Sequence, residues 1–519
     1  MPTFGNRPPD RGFTNPKARP LPESTRREEP LSDLFIEGNW IAGEGPPLNR
    51  TSPADESTVW SGRQASGDQA RTAIQSAAGA SADWAACSLA DRIAVVRRFG
   101  EQLASRRDEF AHCISQQVGK PVWEAATEVA TSIAKVEVSI AAIDDRTPVT
   151  QQDLDGFRAV GRYRPVGVML VLGPFNFPLH LPGGQIIPAL LAGNTVVFKP
   201  SELAPAVGQM LVQAWQAAGL PTGVINLLQG DAKVAAAAID HPKTGGVLFT
   251  GSRTAGAAIH RQLAGRPEVQ LALEMGGNNP LVVADAQPMA AAIDLVIQSA
   301  FLSAGQRCTC ARRLIVVESP ENREFVKRLA AAIPRIRCGL PDADPPPFCG
   351  PLISPAAAEK VLAIQAALCQ QGGLPLVAAS RDSVCRALVS PGLIDVTAAD
   401  VDDEECFGPL LQLQWVDDFD AAIAAANATR FGLAAGLVGG SADDFARFRH
   451  EVRAGVINWN RQTTGASGRL AFGGIGESGN HRPAGYFAAD FCSDPVASLE
   501  SDRLAPPASL LPGLEDTQP

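Results

Sequence analysis

Three side chains stand in local settings that suit covalent chemistry. Gly305-Gln306-Arg307-Cys308-Thr309-Cys310 places Cys308 in a glycine-bearing loop beside a cation, surroundings that favour the nucleophilic thiolate over the thiol. Leu273-Glu274-Met275-Gly276-Gly277 puts a carboxylate at the end of the apolar stretch Val269 to Leu273, ahead of a turn where backbone can approach a ligand, so Glu274 is a candidate general base. Gly173-Pro174-Phe175-Asn176-Phe177-Pro178 is a rigid turn that presents the Asn176 carboxamide, a donor suited to an oxyanion. Each also has an ordinary use: a buried cysteine as a small hydrophobe, a solvated glutamate at a strand end, an asparagine as a cap. Cys308 and Cys310 could also form a redox pair. Zinc is disfavoured, because no histidine or second cysteine pair lies nearby at ligand spacing, and no metal is called for.

Two further turns suit a dinucleotide. Phe198-Lys199-Pro200-Ser201-Glu202 follows a strand candidate at the end where ligands bind in open α/β sheets, so Lys199 and Glu202 could hold adenosine ribose hydroxyls. Phe249-Thr250-Gly251-Ser252-Arg253-Thr254-Ala255-Gly256 reads as a strand, a glycine turn and a helix start, whose free N–H groups suit a pyrophosphate over Gly251, Ser252 and Gly256. No G-x-G-x-x-G is present, so the turn by itself says little.

The elements that must hold these residues alternate between strand and helix. Strands are expected at Phe35 to Trp40 (with a turn), Val166 to Leu172, Thr195 to Phe198, Val224 to Leu228, Val247 to Phe249, Leu314 to Val317, Leu410 to Gln414 and Gly455 to Asn458. Helices are expected near Gly184 to Leu191, over Pro205 to Ala218 and after Thr254. Val96, Phe99, Leu103, Phe110 and Ile114 recur at spacings that put one apolar stripe on a single helix. Residues 146–165 read as a hairpin that leaves the main body. This pattern is α/β, with a parallel sheet of the nucleotide-binding kind.

Bulk properties narrow the class. With 519 residues the chain is long enough for two or three domains. Acidic residues number 55 against 45 basic ones, giving a net charge of −10, which argues against nucleic acid as a partner. No apolar run reaches 18 residues, so no membrane span is expected. Ten dispersed cysteines suit a reducing compartment, and a cytoplasmic location is expected. The Pro-rich, polar residues 1–33 read as a disordered extension and 506–519 as a loose tail.

Taken together, the ordered Asn176, Glu274 and Cys308 segments and the nucleotide turns resemble the aldehyde dehydrogenase superfamily, over most of the chain from Leu34 to Leu504. Gly119-Lys120-Pro121, Glu405-Cys406-Phe407-Gly408-Pro409, Asn458-Trp459-Asn460 and Phe472-Gly473-Gly474-Ile475-Gly476-Glu477-Ser478-Gly479 extend the likeness. The resemblance implies a Rossmann-type NAD-binding domain (34–145 and 166–273), an α/β catalytic domain (274–476) and a small β oligomerisation element (146–165 and 488–505). It implies Cys308 as nucleophile, Glu274 as base, Asn176 as oxyanion donor, and Glu405 and Phe407 at the nicotinamide. It further implies an NAD-dependent oxidation of a small aldehyde in a homodimer or homotetramer, with Glu202 disfavouring the 2′-phosphate of NADP. Gly276-Gly277-Asn278-Asn279-Pro280, Cys308-Thr309-Cys310-Ala311-Arg312-Arg313, Gly479-Asn480-His481-Arg482-Pro483 and Ala497-Ser498-Leu499-Glu500-Ser501 look most like members of the superfamily that act on a succinylated semialdehyde in arginine catabolism. For such a substrate Arg461, His481 or Arg482 are candidate partners of a carboxylate. A different semialdehyde within the superfamily, or a non-redox cysteine hydrolase or acyltransferase, are the competing readings; the latter lacks a motif that supplies a histidine base.

Overall fold

The computed structural model describes residues 33–504, 509 and 511–513. The extension expected over 1–33 lies outside the described residues except for Asp33, and of the tail expected over 506–519 only 509 and 511–513 lie within them. Asp33 belongs to the folded body: it is buried, and its carboxylate accepts from the amides of Gly43 (3.1 Å) and Arg63 (2.9 Å).

Strands Val168–Leu172, Thr195–Lys199, Ile225–Leu227, Thr244–Gly251 and Gln270–Met275 form a parallel sheet in which the first and fourth lie side by side. That adjacency is a topological switch point, where open α/β sheets bind ligands beyond the strand carboxyl ends. A tight hairpin, Leu34–Ile36 and Asn39–Ile41, adds two antiparallel strands at one edge. The strands are largely apolar because both faces are covered, with polar residues such as Lys199 and Glu274 towards their carboxyl ends. Val168, Leu170 and Leu172 face helices Gly67–Ala86 and Ala232–Ile239, while Met169 and Val171 face helices His180–Leu191 and Pro205–Ala217. On the latter side Phe99 stacks on Trp215, ring centroids 3.7 Å apart.

The chain leaves this sheet through Gly276-Gly277-Asn278 and enters a second, in the spatial order Leu374–Val377, Gly392–Asp395, Leu410–Val416, Ala311–Val317, Asn279–Val283, Ala434–Val438 and Val456–Trp459. All neighbours are parallel except the first pair. Glu274 is therefore the penultimate residue of the last strand of one sheet, and Cys308 precedes a central strand of the other. The expected hairpin forms as Thr150–Leu154 and Phe157–Pro165, and Ser493–Glu500 joins it to make a separate three-stranded antiparallel sheet. Among the described residues no helix is long and apolar enough to cross a membrane.

The apolar stripe from Val96 to Ile114 belongs to two helices, Leu89–Ser105 and Arg107–Val118, and not to one. Arg106 breaks them apart at φ −111° and ψ 22°. A one-residue break barely disturbs the side-chain period, so both helices present the same face to the core and the sequence pattern runs on unbroken.

One ion pair lies wholly inside. Lys120 Nζ is 2.7 Å from Glu128 on helix Val122–Arg146 and sits 3.6 Å above the Phe177 ring. The other oxygen of Glu128 accepts from the amides of Leu179 (3.0 Å) and His180 (3.2 Å), at the start of helix His180–Leu191. Removing one partner of such a pair strands a buried charge. Lys120→Ala is expected to cost about 3 kcal/mol of unfolding free energy, and Lys120→Met with Glu128→Gln to recover much of it, as read by denaturant titration.

Candidate active site

Helix Met289–Phe301 ends in a tight turn where Ser303 (φ 55°) and Ala304 (φ 52°) both adopt left-handed backbone. Non-glycine residues there store strain of order 1–3 kcal/mol each and persist only where surroundings impose them. The surroundings do so here. Gly305 follows at φ +75°, and a Cβ at that position would stand 2.1 Å from the Gly408 carbonyl. Arg312, fully buried, donates to the carbonyls of Gly305 (2.6 Å) and Arg307 (2.9 Å). The Asn279 carboxamide donates to both Cys308 O (2.7 Å) and Cys310 O (2.8 Å) while accepting from Ala434 N. The cysteine loop is thus held from both sides.

Glu274 reaches the same point from the first sheet. It lies in register with Thr250 of the adjacent strand, its backbone bridges to Gly479, and its Oε1 stands 3.8 Å from Cys308 Sγ. Thr250 Oγ1 lies 3.4 Å from the other carboxylate oxygen and itself accepts from Gln185 Nε2 at 3.1 Å. Burial raises the Glu274 carboxyl to about 7, so near neutral pH it can both take and return a proton.

The expectation that Arg307 favours a Cys308 thiolate is not met. Arg307 turns away, its guanidinium on Glu124 and on Ser303 Oγ, so its charge is already matched. Burial, and then the carboxylates of Glu274 and Glu405, push the thiol well above its ordinary value, with Arg312 opposing them weakly. Cys308 rests as a thiol that must hand its proton to a base, and the carboxylate beside it is Glu274.

Asn176 is buried in the turn after Val168–Leu172, and its Nδ2 donates to the Gln306 carbonyl at 3.0 Å, two residues before Cys308. Lys199 Nζ, at the end of its strand, donates to the carbonyls of Pro200 and Gly230 and lies 3.7 Å from the half-exposed Glu202. Ser252 caps helix Arg253–Gln262, and a Cβ on Gly256 would meet Met275 Sδ at 2.4 Å, so glycine lets this helix approach the sheet. Glu405 accepts from the Gly277 amide at 3.3 Å, and Phe407 meets Phe175 edge-on at 5.9 Å. The capped start of helix Arg253–Gln262, the half-exposed Glu202 carboxylate beside Lys199 and the partly exposed Glu405 carboxylate fit a nicotinamide dinucleotide.

A cavity of about 360 Å³ opens from Cys308 and Glu274, walled by helices Val122–Arg146 and His180–Leu191 and by residues 464–468. Arg461, His481 and Arg482, expected near a substrate carboxylate, are exposed and do not wall it. Asn480 explains the latter two: it donates to Leu271 O and accepts from Leu273 N, both at 2.8 Å, and this clamp on the Glu274 strand leaves its neighbours outside. Arg461 follows Asn460, whose carboxamide is tied to the Gly439 amide at the end of the second sheet.

The model of the aldehyde dehydrogenase family matches residues 40–495. This chain belongs to that family. It is 51% identical over 484 residues, 93% of this chain and 100% of the relative, to N-succinylglutamate 5-semialdehyde dehydrogenase of Chromobacterium violaceum. Among solved structures, the NAD-dependent aldehyde dehydrogenase of Sinorhizobium meliloti superposes with a TM-score of 0.87 at 26% identity, over 92% of this chain and 96% of that one. The NADP-dependent glyceraldehyde-3-phosphate dehydrogenase of Bacillus halodurans, complexed with NADP, superposes at 0.85 and 25% identity, over 91% and 99%. The protein is therefore an aldehyde dehydrogenase of a fold that takes NAD(P). In this aldehyde dehydrogenase the supports that sequence reading passed over are Arg312, Asn279, Thr250 and Gln185. Arg312, Asn279 and Thr250 lie inside recognisable motifs, but nothing local reveals which buried group a side chain will reach.

Proposed function

We propose that this aldehyde dehydrogenase oxidises N-succinyl-L-glutamate 5-semialdehyde to N-succinyl-L-glutamate with NAD, in arginine catabolism, through a thioester on Cys308 that Glu274 then helps to hydrolyse. The near-full-length likeness to the Chromobacterium enzyme supports the substrate. One observation carries the chemistry: the thiol of Cys308 touches a carboxylate held near neutrality by burial. Glu274 takes the Sγ proton as sulfur bonds to the aldehyde carbon. The resulting oxyanion is held by the Asn176 carboxamide and the Cys308 amide. A nicotinamide held at Glu405 and Phe407 would supply the hydride acceptor for that carbon, and loss of the hydride leaves a thioester on Cys308. Glu274, its proton released, deprotonates the water that attacks the thioester, and the acid leaves with the thiol restored.

Glu202 supports NAD over NADP, since its carboxylate would accept from ribose hydroxyls and repel a 2′-phosphate, while Lys199 beside it is spent on two carbonyls. The three-stranded sheet, with Leu154, Phe157 and Leu499 exposed and Thr150–Leu154 at its open edge, supports assembly into a homodimer or homotetramer.

The substrate reading is tested by NADH formation at 340 nm across semialdehydes with and without the succinyl group. A kcat/KM unchanged by deleting that group would overturn it, and equal rates with NADP would overturn the cofactor choice. Asn176→Ala should lower kcat roughly 10²- to 10³-fold, about 3 kcal/mol for one oxyanion donor, with cofactor affinity retained in equilibrium titration.

A further inference from the structure

The cavity that opens on Cys308 holds a cation, Lys135, that makes no ion pair among the described residues. Lys135 projects from helix Val122–Arg146 and is 5% exposed, and its Nζ donates to one acceptor, the Gly485 carbonyl at 2.7 Å. An ammonium has three donors. Both carboxylates that line the cavity are engaged elsewhere: Glu128 is committed to Lys120 and to two backbone amides, and Glu274 stands against Thr250 and Cys308. Burial alone pushes the Lys135 ammonium down to about 8, which leaves it charged at neutral pH.

A second unused donor stands beside it. His180 also walls the cavity, and its Nδ1 is buried without a hydrogen-bond partner. Burial, then the charges of Lys135 and Lys120, hold its ring down to about 4, so it is a neutral imidazole able to donate through one nitrogen. Space is provided at Gly184, where a Cβ would stand 3.6 Å from Lys135 Cε; any longer side chain would cover the end of the lysine. The other cation of the cavity, Arg307, is already neutralised by Glu124. A buried, unpaired charge is costly, and it is retained at little cost where a ligand completes the pair.

We infer that Lys135, with the His180 imidazole as second donor, is the subsite for a carboxylate that the substrate carries away from its aldehyde carbon. This rests on the substrate reading above, in which the aldehyde brings two carboxylates, that of the succinyl arm and that on the α-carbon. Lys135 would then set specificity through binding, with no part in the bond changes at Cys308.

The test compares wild type with Lys135→Met on four aldehydes: N-succinylglutamate 5-semialdehyde, its N-butyryl counterpart, which lacks the succinyl carboxylate, N-succinyl-4-aminobutanal, which lacks the α-carboxylate, and butanal as internal reference. Expected is a loss of kcat/KM on the full substrate of roughly 10- to 100-fold, carried by KM, as for one charge-assisted hydrogen bond. Butanal should move far less, and Lys135→Arg should recover part of the loss. One truncated aldehyde should lose as much in wild type as the full substrate does in the variant, and nothing further in the variant. That aldehyde names the carboxylate held. An unchanged kcat/KM on the full substrate overturns the inference, and so does an equal loss on butanal, which would mark Lys135 as a brace for Gly485. If wild type itself handles all four aldehydes alike, it is the substrate reading that falls.

Discussion

Cys308→Ser is expected to lower NADH formation by roughly 10⁴-fold or more at saturating aldehyde, with cofactor binding unchanged. The thiol already sits well above its ordinary value, pressed by burial and by two carboxylates, and in the proposed mechanism Glu274, 3.8 Å away, takes its proton. A serine hydroxyl is far harder to ionise, and a base near 7 gives it little help. The residues proposed for the adenosine end of the dinucleotide stand on other elements: Lys199 at the end of Thr195–Lys199, Glu202 in the turn after it, and Ser252 at the start of Arg253–Gln262. Titration of NAD by protein fluorescence should therefore give the same affinity for both forms. A variant that retained a tenth of wild-type turnover would show that the nucleophile lies elsewhere.

Glu274→Gln is expected to lower steady-state turnover about 10²- to 10⁴-fold near pH 7 and to change the pH profile as well. Wild-type rate should rise with pH through about 7 as the carboxylate loses its proton, and the variant should lack that limb. In rapid-mixing experiments at high pH, where the thiol ionises without help, the variant should release a burst of NADH and then stall as a thioester. Stability should move the other way. The folded protein holds the Glu274 proton more tightly than the unfolded chain does, so this group's contribution is full below about pH 4.5 and is lost as pH climbs through about 7. At pH 8 the ionised buried carboxylate costs up to about 3 kcal/mol, which glutamine avoids. Melting curves should place the variant above wild type at pH 8, with the gap closing by pH 5. A gap that persisted at pH 5 would argue against ionisation as its cause.

Much of the first sheet was legible because its strands are buried on both faces: Val168–Leu172 and Thr195–Lys199 are apolar runs cut by glycine and proline. Ala434–Val438 passed unseen, since Ala-Ala-Gly-Leu-Val has little β-branching and becomes a strand only between Asn279–Val283 and Val456–Trp459. At the site, the order of Asn176, Glu274 and Cys308 was readable, and their local turns explained why each is presented. The electrostatics were not. Arg307 is next to Cys308 in the chain, yet its side chain pairs with Glu124, 183 residues away, while the guanidinium that does bear on the thiol belongs to Arg312. The same limit applies to Lys135, whose solitude can be seen only once every nearby carboxylate is accounted for.

Glu128 holds Lys120 in the core with one oxygen and the first amides of helix His180–Leu191 with the other, just after the turn that carries Asn176. A lesion at Lys120 that left the fold standing would free that carboxylate to drift and would tilt the turn. In a genetic screen scored on growth, such alleles would group with those of Asn176, the proposed oxyanion donor, although the altered residue is sealed from solvent and touches no reactant.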